Sequence, residues 1–485
     1  MNFASAFLVL SFLAAKPVLA GDSGLAQWGT DPALRNAVWA ASVRDARTGE
    51  MLESFQADKG LIPASSIKVL VTAAALSVLG EDHRFHTRFY RTGEIAQNGT
   101  LKGDLVIEGG GDPSLGSTLM TGTPTLSDVL GAWSRAVREA GIRRVEGAVL
   151  ADNRLFEGMP SPGSWAWEDL GNYYAAPADA LSLNDNLYAL VFAPGKSVGE
   201  EAALLRTEPE VPGLRFKNLM RTGDKDSGDK GVVYCVPDQE EAALTGTLPV
   251  GVPEFSIKGA VPWPALFAAR SLKARLKSDG IAVVQGAALV SDESARSSAD
   301  KGLLLETLSP PLKDIVRVTN KKSVNLYAEM LARALALKAG KKGSAQEGVA
   351  AVMEFLRSAR VDISGLRLAD ACGLSRIDAV PAQAFTSLLS YMARQPSFAA
   401  FRDSLATPGV DEATGKARSF GQGGLEGRLW FKAGFVTGAR GYCGYLQTRK
   451  GRLLSFAFLA NNLSAPRADV EAFLKKRLIS LAEKY

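Results

Sequence analysis

Pro63-Ala64-Ser65-Ser66-Ile67-Lys68-Val69-Leu70-Val71-Thr72-Ala73-Ala74-Ala75-Leu76-Ser77-Val78-Leu79-Gly80 reads as a turn opening into a helix that is apolar on nearly every side. A helix without a polar stripe has no face to give to water, so it belongs inside a core with other elements wrapped around it. Pro63 suits the helix entrance and Gly80 its stop. At i and i+3, Ser65 and Lys68 share one face, whereas Ser66 at i+2 points elsewhere. Ser65 is therefore the candidate nucleophile and Lys68 the candidate base. A serine hydroxyl attacks poorly until a base within hydrogen-bond reach takes its proton. Lysine can be that base only when neutral, and lowering its pKa from ~10.4 to about 7–8 takes roughly 3–4 kcal/mol, which burial and a second cation can supply. Ser-x-x-Lys is a common pattern, and a capped core helix with a lysine at its edge explains it as well. Partners elsewhere in the chain must decide.

Composition narrows the classes. The 485 residues are 46% apolar and 22% charged, ordinary globular material with room for two or three domains. The net charge of +5 comes from 56 basic and 51 acidic residues, well interspersed. There is no block of Lys and Arg to read as a nucleic-acid face. Phe7 to Ala15 forms a short apolar run and Val18-Leu19-Ala20 offers small residues before a cut, so residues 1–20 read as a secretory signal; an N-terminal anchor is the alternative, since no Lys or Arg precedes the run, which is short for a span. The expected location is exported, periplasmic, with no stable membrane span after cleavage. Three cysteines, Cys235, Cys372 and Cys443, are too few for a disulfide framework. No Cys/His cluster argues for zinc, and neither a metal nor a cofactor is expected. Histidine poverty decides more: His83 and His86 are the only two, and no Gly-x-Ser-x-Gly elbow is present to partner them. A lysine base is the better proposal.

Further along, 37–43 and 51–56 read as strands joined by a polar turn, and Leu105-Val106-Ile107 as a strand followed by a glycine-rich turn at 109–111. Two segments are alike, each a helix, a turn and a strand: 126–150 and 266–289. Residues 222–231 read as an exposed loop. From about 308 the chain turns helical, with helices over 312–319, 323–337, 345–358 and 381–394. Strands at 427–432, 442–448 and 453–459 follow, with turns at Gly434, Gly438 and Lys450-Gly451, and a helix over 465–483 closes the chain. The N-terminal strands can complete the C-terminal sheet, making one domain from both chain ends.

Two later stretches supply partners for Ser65 and Lys68. Lys322-Ser323-Val324-Asn325 places a hydroxyl and an amide two residues apart, which converge only in a loop or at a helix start; an N-cap serine is the plain alternative. Trp430-Phe431-Lys432-Ala433-Gly434-Phe435 is a strand with an isolated lysine and a glycine that lets backbone come close. In the order Ser-x-x-Lys, Ser-x-Asn, Lys-x-Gly, the three resemble the penicillin-recognising serine enzymes. The long interval from Lys68 to Ser323 resembles the D-alanyl-D-alanine carboxypeptidase/endopeptidase family, class C low-molecular-mass penicillin-binding proteins of peptidase family S13. Similar segments include Glu108-Gly109-Gly110-Gly111-Asp112-Pro113, Asp169-Leu170-Gly171-Asn172-Tyr173-Tyr174, Ser182-Leu183-Asn184-Asp185-Asn186 and Gly373-Leu374-Ser375-Arg376.

The resemblance implies an α+β fold with a penicillin-binding, serine β-lactamase-like transpeptidase domain built from 21–95 and 291–485. Residues 96–290 would be an inserted accessory region of two nested domains. It implies acyl transfer on peptidoglycan stem peptides and cross-links, with peptidoglycan and β-lactam antibiotics as partners. Ser65 would attack, Lys68 act as base, Ser323 relay the proton, Asn325 hold the substrate amide and Lys432 draw in its carboxylate. Gly434 would let the strand approach, and the N–H groups of Ser65 and Phe435 would form the oxyanion hole. Two departures stand out: Ala433 occupies a place where the family has threonine, and Cys372 replaces a serine of the Asp-Gly-Ser-Gly-Leu-Ser pattern. A catalytically weakened peptidoglycan-binding or β-lactam-sensing protein and a β-lactamase are the alternative readings.

Overall fold

The computed structural model describes residues 24–291, 301–411, 417–421 and 423–485, so the expected signal segment 1–20 lies outside the described residues. Strands β1 (Val38–Asp45) and β2 (Met51–Phe55) form the expected hairpin. Its turn is fastened by the Asp45 carboxylate, which accepts the backbone N–H groups of Arg47 and Thr48, both at 2.8 Å. Helix α1 (Lys68–Leu79) follows, stopped by Gly80 at φ 90°. After the long middle of the chain come α2 (Leu312–Lys321), α3 (Asn325–Lys338), α4 (Ala345–Ser358) and α5 (Ala382–Met392). Strands β3 (Leu429–Val436), β4 (Ala439–Gln447) and β5 (Leu453–Asn461) and helix α6 (Arg467–Lys484) complete the unit.

These strands make one antiparallel sheet in the order β2-β1-β5-β4-β3. Val38 lies opposite Asn461 and Asp45 opposite Leu454, so the two chain ends close one sheet. Every residue of β4 but the last is buried, as a strand covered on both faces requires. On one face α1 packs with Leu326, Tyr327, Leu331, Phe385 and Leu389 around it, and its residues from Lys68 to Leu76 are all buried. On the other, α6 covers Trp39, Phe456 and Phe458 with Phe473 and Leu474. The apolar helix thus sits at the centre, as its lack of a polar stripe demands. Gly434, expected at a turn, lies inside β3; the strand runs on to Val436, and the reversal falls at Gly438, with φ 76°. Gly434 serves a close approach instead.

The middle is strand-rich. Residues Leu126–Glu139 and Pro264–Ser278 are helices, and the strands after them, Ala148–Asp152 and Gly286–Leu289, pair in parallel, so the two similar segments lie side by side. Their helices share a core through Trp133, Val137, Phe267 and Leu272. Strands His86–Thr92 and Lys301–Leu308 lie in the residues expected for the end-built domain. Both, however, join the sheet of the middle region: His86–Thr92 pairs with Leu105–Glu108, and Lys301–Leu308 pairs with His86–Thr92. Within 222–231, Thr222 is buried rather than exposed, because it sits in the short strand Arg221–Gly223 and its hydroxyl accepts the Gly195 N–H at 2.7 Å.

Candidate active site

Ser65 lies in a one-turn 3-10 helix, Ala64–Ile67, that runs directly into α1. Ala64 before it has φ 49°, a left-handed conformation that a Cβ-bearing residue adopts only when its surroundings enforce it. Three glycines do so by allowing main chain to press against this turn. A Cβ on Gly373 would lie 2.0 Å from Ala64 O; one on Gly434 or Gly441 would lie 2.5 Å from Pro63 O. Ser66 turns inward and donates to Pro63 O at 2.6 Å, which leaves Ser65 alone facing the cavity.

Lys68 is fully buried, and its Nζ has three partners: Ser65 Oγ at 2.9 Å, Asn325 Oδ1 at 2.5 Å and Cys372 O at 2.6 Å. Asn325 is oriented by its Nδ2, which donates to Tyr174 O at 2.7 Å, so a carbonyl oxygen must face the lysine. Two tetrahedral positions of the nitrogen are therefore taken by acceptors that fix N–H groups. The third, whether N–H or lone pair, points at Ser65 Oγ. Burial lowers the Lys68 pKa, opposed by the charges of Cys372, Asp370 and Glu329. The Cys372 thiol is itself pushed well above its ordinary range by burial and stays neutral, so the opposing field at neutral pH comes from the two carboxyl groups. Glu329, wholly buried, is pushed up to about 7 by desolvation and by Asp370. Asp370 accepts the backbone N–H groups of Cys372, Gly373, Leu374 and Ser375 and the Trp165 indole N–H, and so shapes the loop that delivers the Cys372 carbonyl.

Ser323 is not an N-cap. Val324 caps α3, and Ser323 precedes it with φ 61°, its Oγ accepting from Lys432 Nζ at 2.9 Å. Lys432 is buried and also donates to Ala433 O at 2.6 Å. Ser65, Ser323, Asn325, Ala433, Gly434 and Phe435 line one cavity of about 460 Å³, together with Asp169, Tyr173, Tyr174 and Arg376. There Asp169 accepts from Arg376 at 2.7 Å and from the Tyr174 hydroxyl at 3.2 Å. The structure thus brings Ser65, Lys68, Ser323, Asn325, Lys432, Gly434 and Phe435 together from three distant stretches. His83 and His86 lie elsewhere; His86 is exposed and pairs with Glu306 at 3.1 Å.

Sequence reasoning missed the Cys372 carbonyl, Glu329 and Gly441. A backbone acceptor leaves no mark in side-chain identity, and Gly441 looks like any strand glycine. It also gave Asn325 to the substrate alone, whereas both ends of its amide are engaged within the protein.

The family model described as D-Ala-D-Ala carboxypeptidase 3 (S13) matches residues 22–477. A D-alanyl-D-alanine carboxypeptidase of Actinomadura sp. (strain R39) is 29% identical over 478 residues, covering 95% of this chain and 86% of that protein. The crystal structure of penicillin binding protein 4 (dacB) from Haemophilus influenzae superposes with a TM-score of 0.81 at 23% identity, over 95% of this chain and 99% of that one. The same protein complexed with a β-lactam gives 0.74 at 22% identity, over 92% and 96%. With the penicillin-binding fold in place and a model match over nearly the whole length, the chain belongs to the D-Ala-D-Ala carboxypeptidase 3 (S13) family of serine peptidases.

Proposed function

We propose that this carboxypeptidase works through an acyl-enzyme on Ser65. The observation that carries the reading is the tripod around Lys68: two carbonyl acceptors fix two of its positions and the third faces Ser65 Oγ. In its neutral form Lys68 takes the Ser65 proton as Oγ bonds to the carbonyl carbon between two D-residues of a peptidoglycan stem peptide. The N–H groups of Ser65 and Phe435 hold the oxyanion, an arrangement commonly worth about 3–4 kcal/mol per donor. The carbon–nitrogen bond then breaks, and the leaving amine receives a proton through Ser323, whose hydroxyl is oriented by Lys432. Water releases the acyl group by the reverse proton path. Endopeptidase action on cross-links joining two D-centres uses the same steps and falls within the proposal. β-Lactams acylate the same serine; the related fold that holds a β-lactam supports this.

Export to the periplasm follows from the signal reading of residues 1–20 and from the substrate. Among the described residues no helix is long and apolar enough to cross a membrane. We also place the limits of the end-built peptidase unit near residues 85 and 309, where the strands shared with the middle region begin and end. Labelled penicillin on the wild type and on Ser65→Ala tests the mechanism: the wild type takes up one equivalent and the variant none. Equal labelling of both refutes it.

A further inference from the structure

The segment from Glu168 to Ala175 belongs to the middle region, yet it supplies part of the surroundings of Lys68. Tyr174 sits in the short 3-10 helix Tyr173–Ala175, and its carbonyl accepts from the Asn325 Nδ2, which turns Oδ1 towards Lys68. That carbonyl is held through Asn172. The Asn172 side chain is buried, and main chain engages both its oxygen and its nitrogen. Oδ1 accepts the Val233 N–H at 3.1 Å, while Nδ2 donates to Glu168 O at 3.0 Å and to Asp169 O at 3.1 Å. Its backbone carbonyl accepts the Ala175 N–H at 2.9 Å and so closes the turn that carries Tyr174.

The anchor reaches two sheets. Val233 lies in the strand Val232–Tyr234, and Asn172 itself bridges to Gly259 in Phe255–Ala260; these strands belong to different sheets of the middle region. Gly171 completes the seat. Its carbonyl accepts the Ala260 N–H at 2.8 Å, its φ is 91°, and a Cβ there would lie 2.5 Å from Val233 O. A continuous line therefore runs from those sheets through Asn172 and the Tyr174 carbonyl to Asn325 and Lys68. Alanine at 172 would leave a buried N–H and two buried carbonyls without their partner, and an ionised aspartate would turn an oxygen on both carbonyls.

We infer that Asn172 is a positioning residue for acylation: it fixes the loop 168–175 on the middle region so that the Tyr174 carbonyl holds Asn325, and Asn325 holds Lys68, in place for Ser65 Oγ. This rests on the acyl-serine reading of the same cavity. It gives the middle region a part in the chemistry, because the acceptor that orients the Asn325 amide comes from there. Freed from that acceptor, the amide can turn about its last side-chain bond and bring Nδ2 to Lys68, and a donor in that place no longer fixes the lysine N–H. The same loop carries Asp169, Tyr173 and Tyr174, which line the cavity, so binding and rate must be read apart.

The test follows acylation by labelled penicillin over a range of concentrations, which yields a maximal rate and a half-saturating concentration. Wild type, Asn172→Ala and Asn172→Asp are compared well below the melting temperature of each. At about pH 7, Asn172→Ala should lose about ten- to a hundredfold in maximal rate and keep its half-saturating concentration within about threefold. Asn172→Asp retains the acceptor for the Val233 N–H, and its protonated form also donates to one of the two carbonyls. At about pH 5.5 it should therefore run at least about threefold faster than Asn172→Ala. A loss confined to the half-saturating concentration would leave Asn172 a role in shaping the cavity alone and overturns the inference. So does a maximal rate within threefold of wild type, or an aspartate variant no faster than the alanine one at low pH. Ser65→Ala separates the two readings. If it is labelled as the wild type is, the acyl-serine reading fails; if it stays unlabelled while Asn172→Ala reaches full speed, this inference fails alone.

Discussion

Replacing Gly434 by alanine asks whether the site depends on how closely β3 approaches the nucleophile turn. The backbone at this position is extended, so alanine is conformationally acceptable, and only contact opposes it. Its Cβ would stand 2.5 Å from Pro63 O, 2.7 Å from Ser66 N and 2.8 Å from Ser65 N. All three are main-chain atoms, and none can swing aside as a side chain would. Restoring ordinary van der Waals separation requires β3 and the turn to part by roughly 0.6–0.9 Å. The strand carries Lys432 and the Phe435 N–H, so both move relative to Ser65. A misplacement near 1 Å costs about a hundredfold, and loss of one oxyanion donor about 10²–10³-fold. Overpacking costs about 1–3 kcal/mol of stability, partly offset by ~0.5–1 kcal/mol from the stiffer unfolded chain. Gly434→Ala should therefore melt only a few degrees lower while losing at least about a hundredfold in its rate of acylation by labelled penicillin, measured with the antibiotic in excess. Acylation within threefold of wild type, with an unchanged melt, would refute the account of how the strand and the turn fit together.

Glu329→Gln keeps the Oε1 acceptor for the Ala371 N–H and removes the charge that opposes neutralisation of Lys68. Lysine then loses its proton more readily, so the acid limb of the acylation profile moves to lower pH; a move upward or none contradicts the field assigned to Glu329. Stability has its own sign. The Glu329 pKa rises from 4.5 to about 7 on folding, so its contribution is complete below about 4.5 and is lost as pH climbs through about 7. The variant should gain ~3 kcal/mol relative to wild type between pH 5 and pH 8, seen as diverging thermal melts. Cys372→Ser should leave kcat/KM within about threefold, because the carbonyl and not the thiol meets Lys68; a loss beyond tenfold would show the side chain matters. Cys235, Cys372 and Cys443 are buried with thiol pKa values raised by desolvation, so a thiol reagent should modify none in the native protein and all three after denaturation.

Local chemistry was legible in the chain. The unbroken apolar run after Ser65 announced a central helix, and three spaced motifs announced the side chains that the fold gathers around Lys68 and one cavity. The closing of one sheet by both ends was legible too, because strand periodicity at 37–56 and 427–459 left unfilled edges. Those signals are short-range, set by periodicities of two and 3.6 along the chain. Only tertiary structure decided what depends on separations between distant backbones. It placed Gly434 within a strand as a point of contact, moved Ser323 out of the helix cap into left-handed backbone beside Lys432, and joined 86–92 and 301–308 to the middle region's sheet. It brought the Cys372 carbonyl to Lys68 through a loop wound around the Asp370 carboxylate. A one-dimensional pattern records which side chains a residue carries, but the free energy of a site depends on what each atom meets, and that is fixed only when the chain is packed.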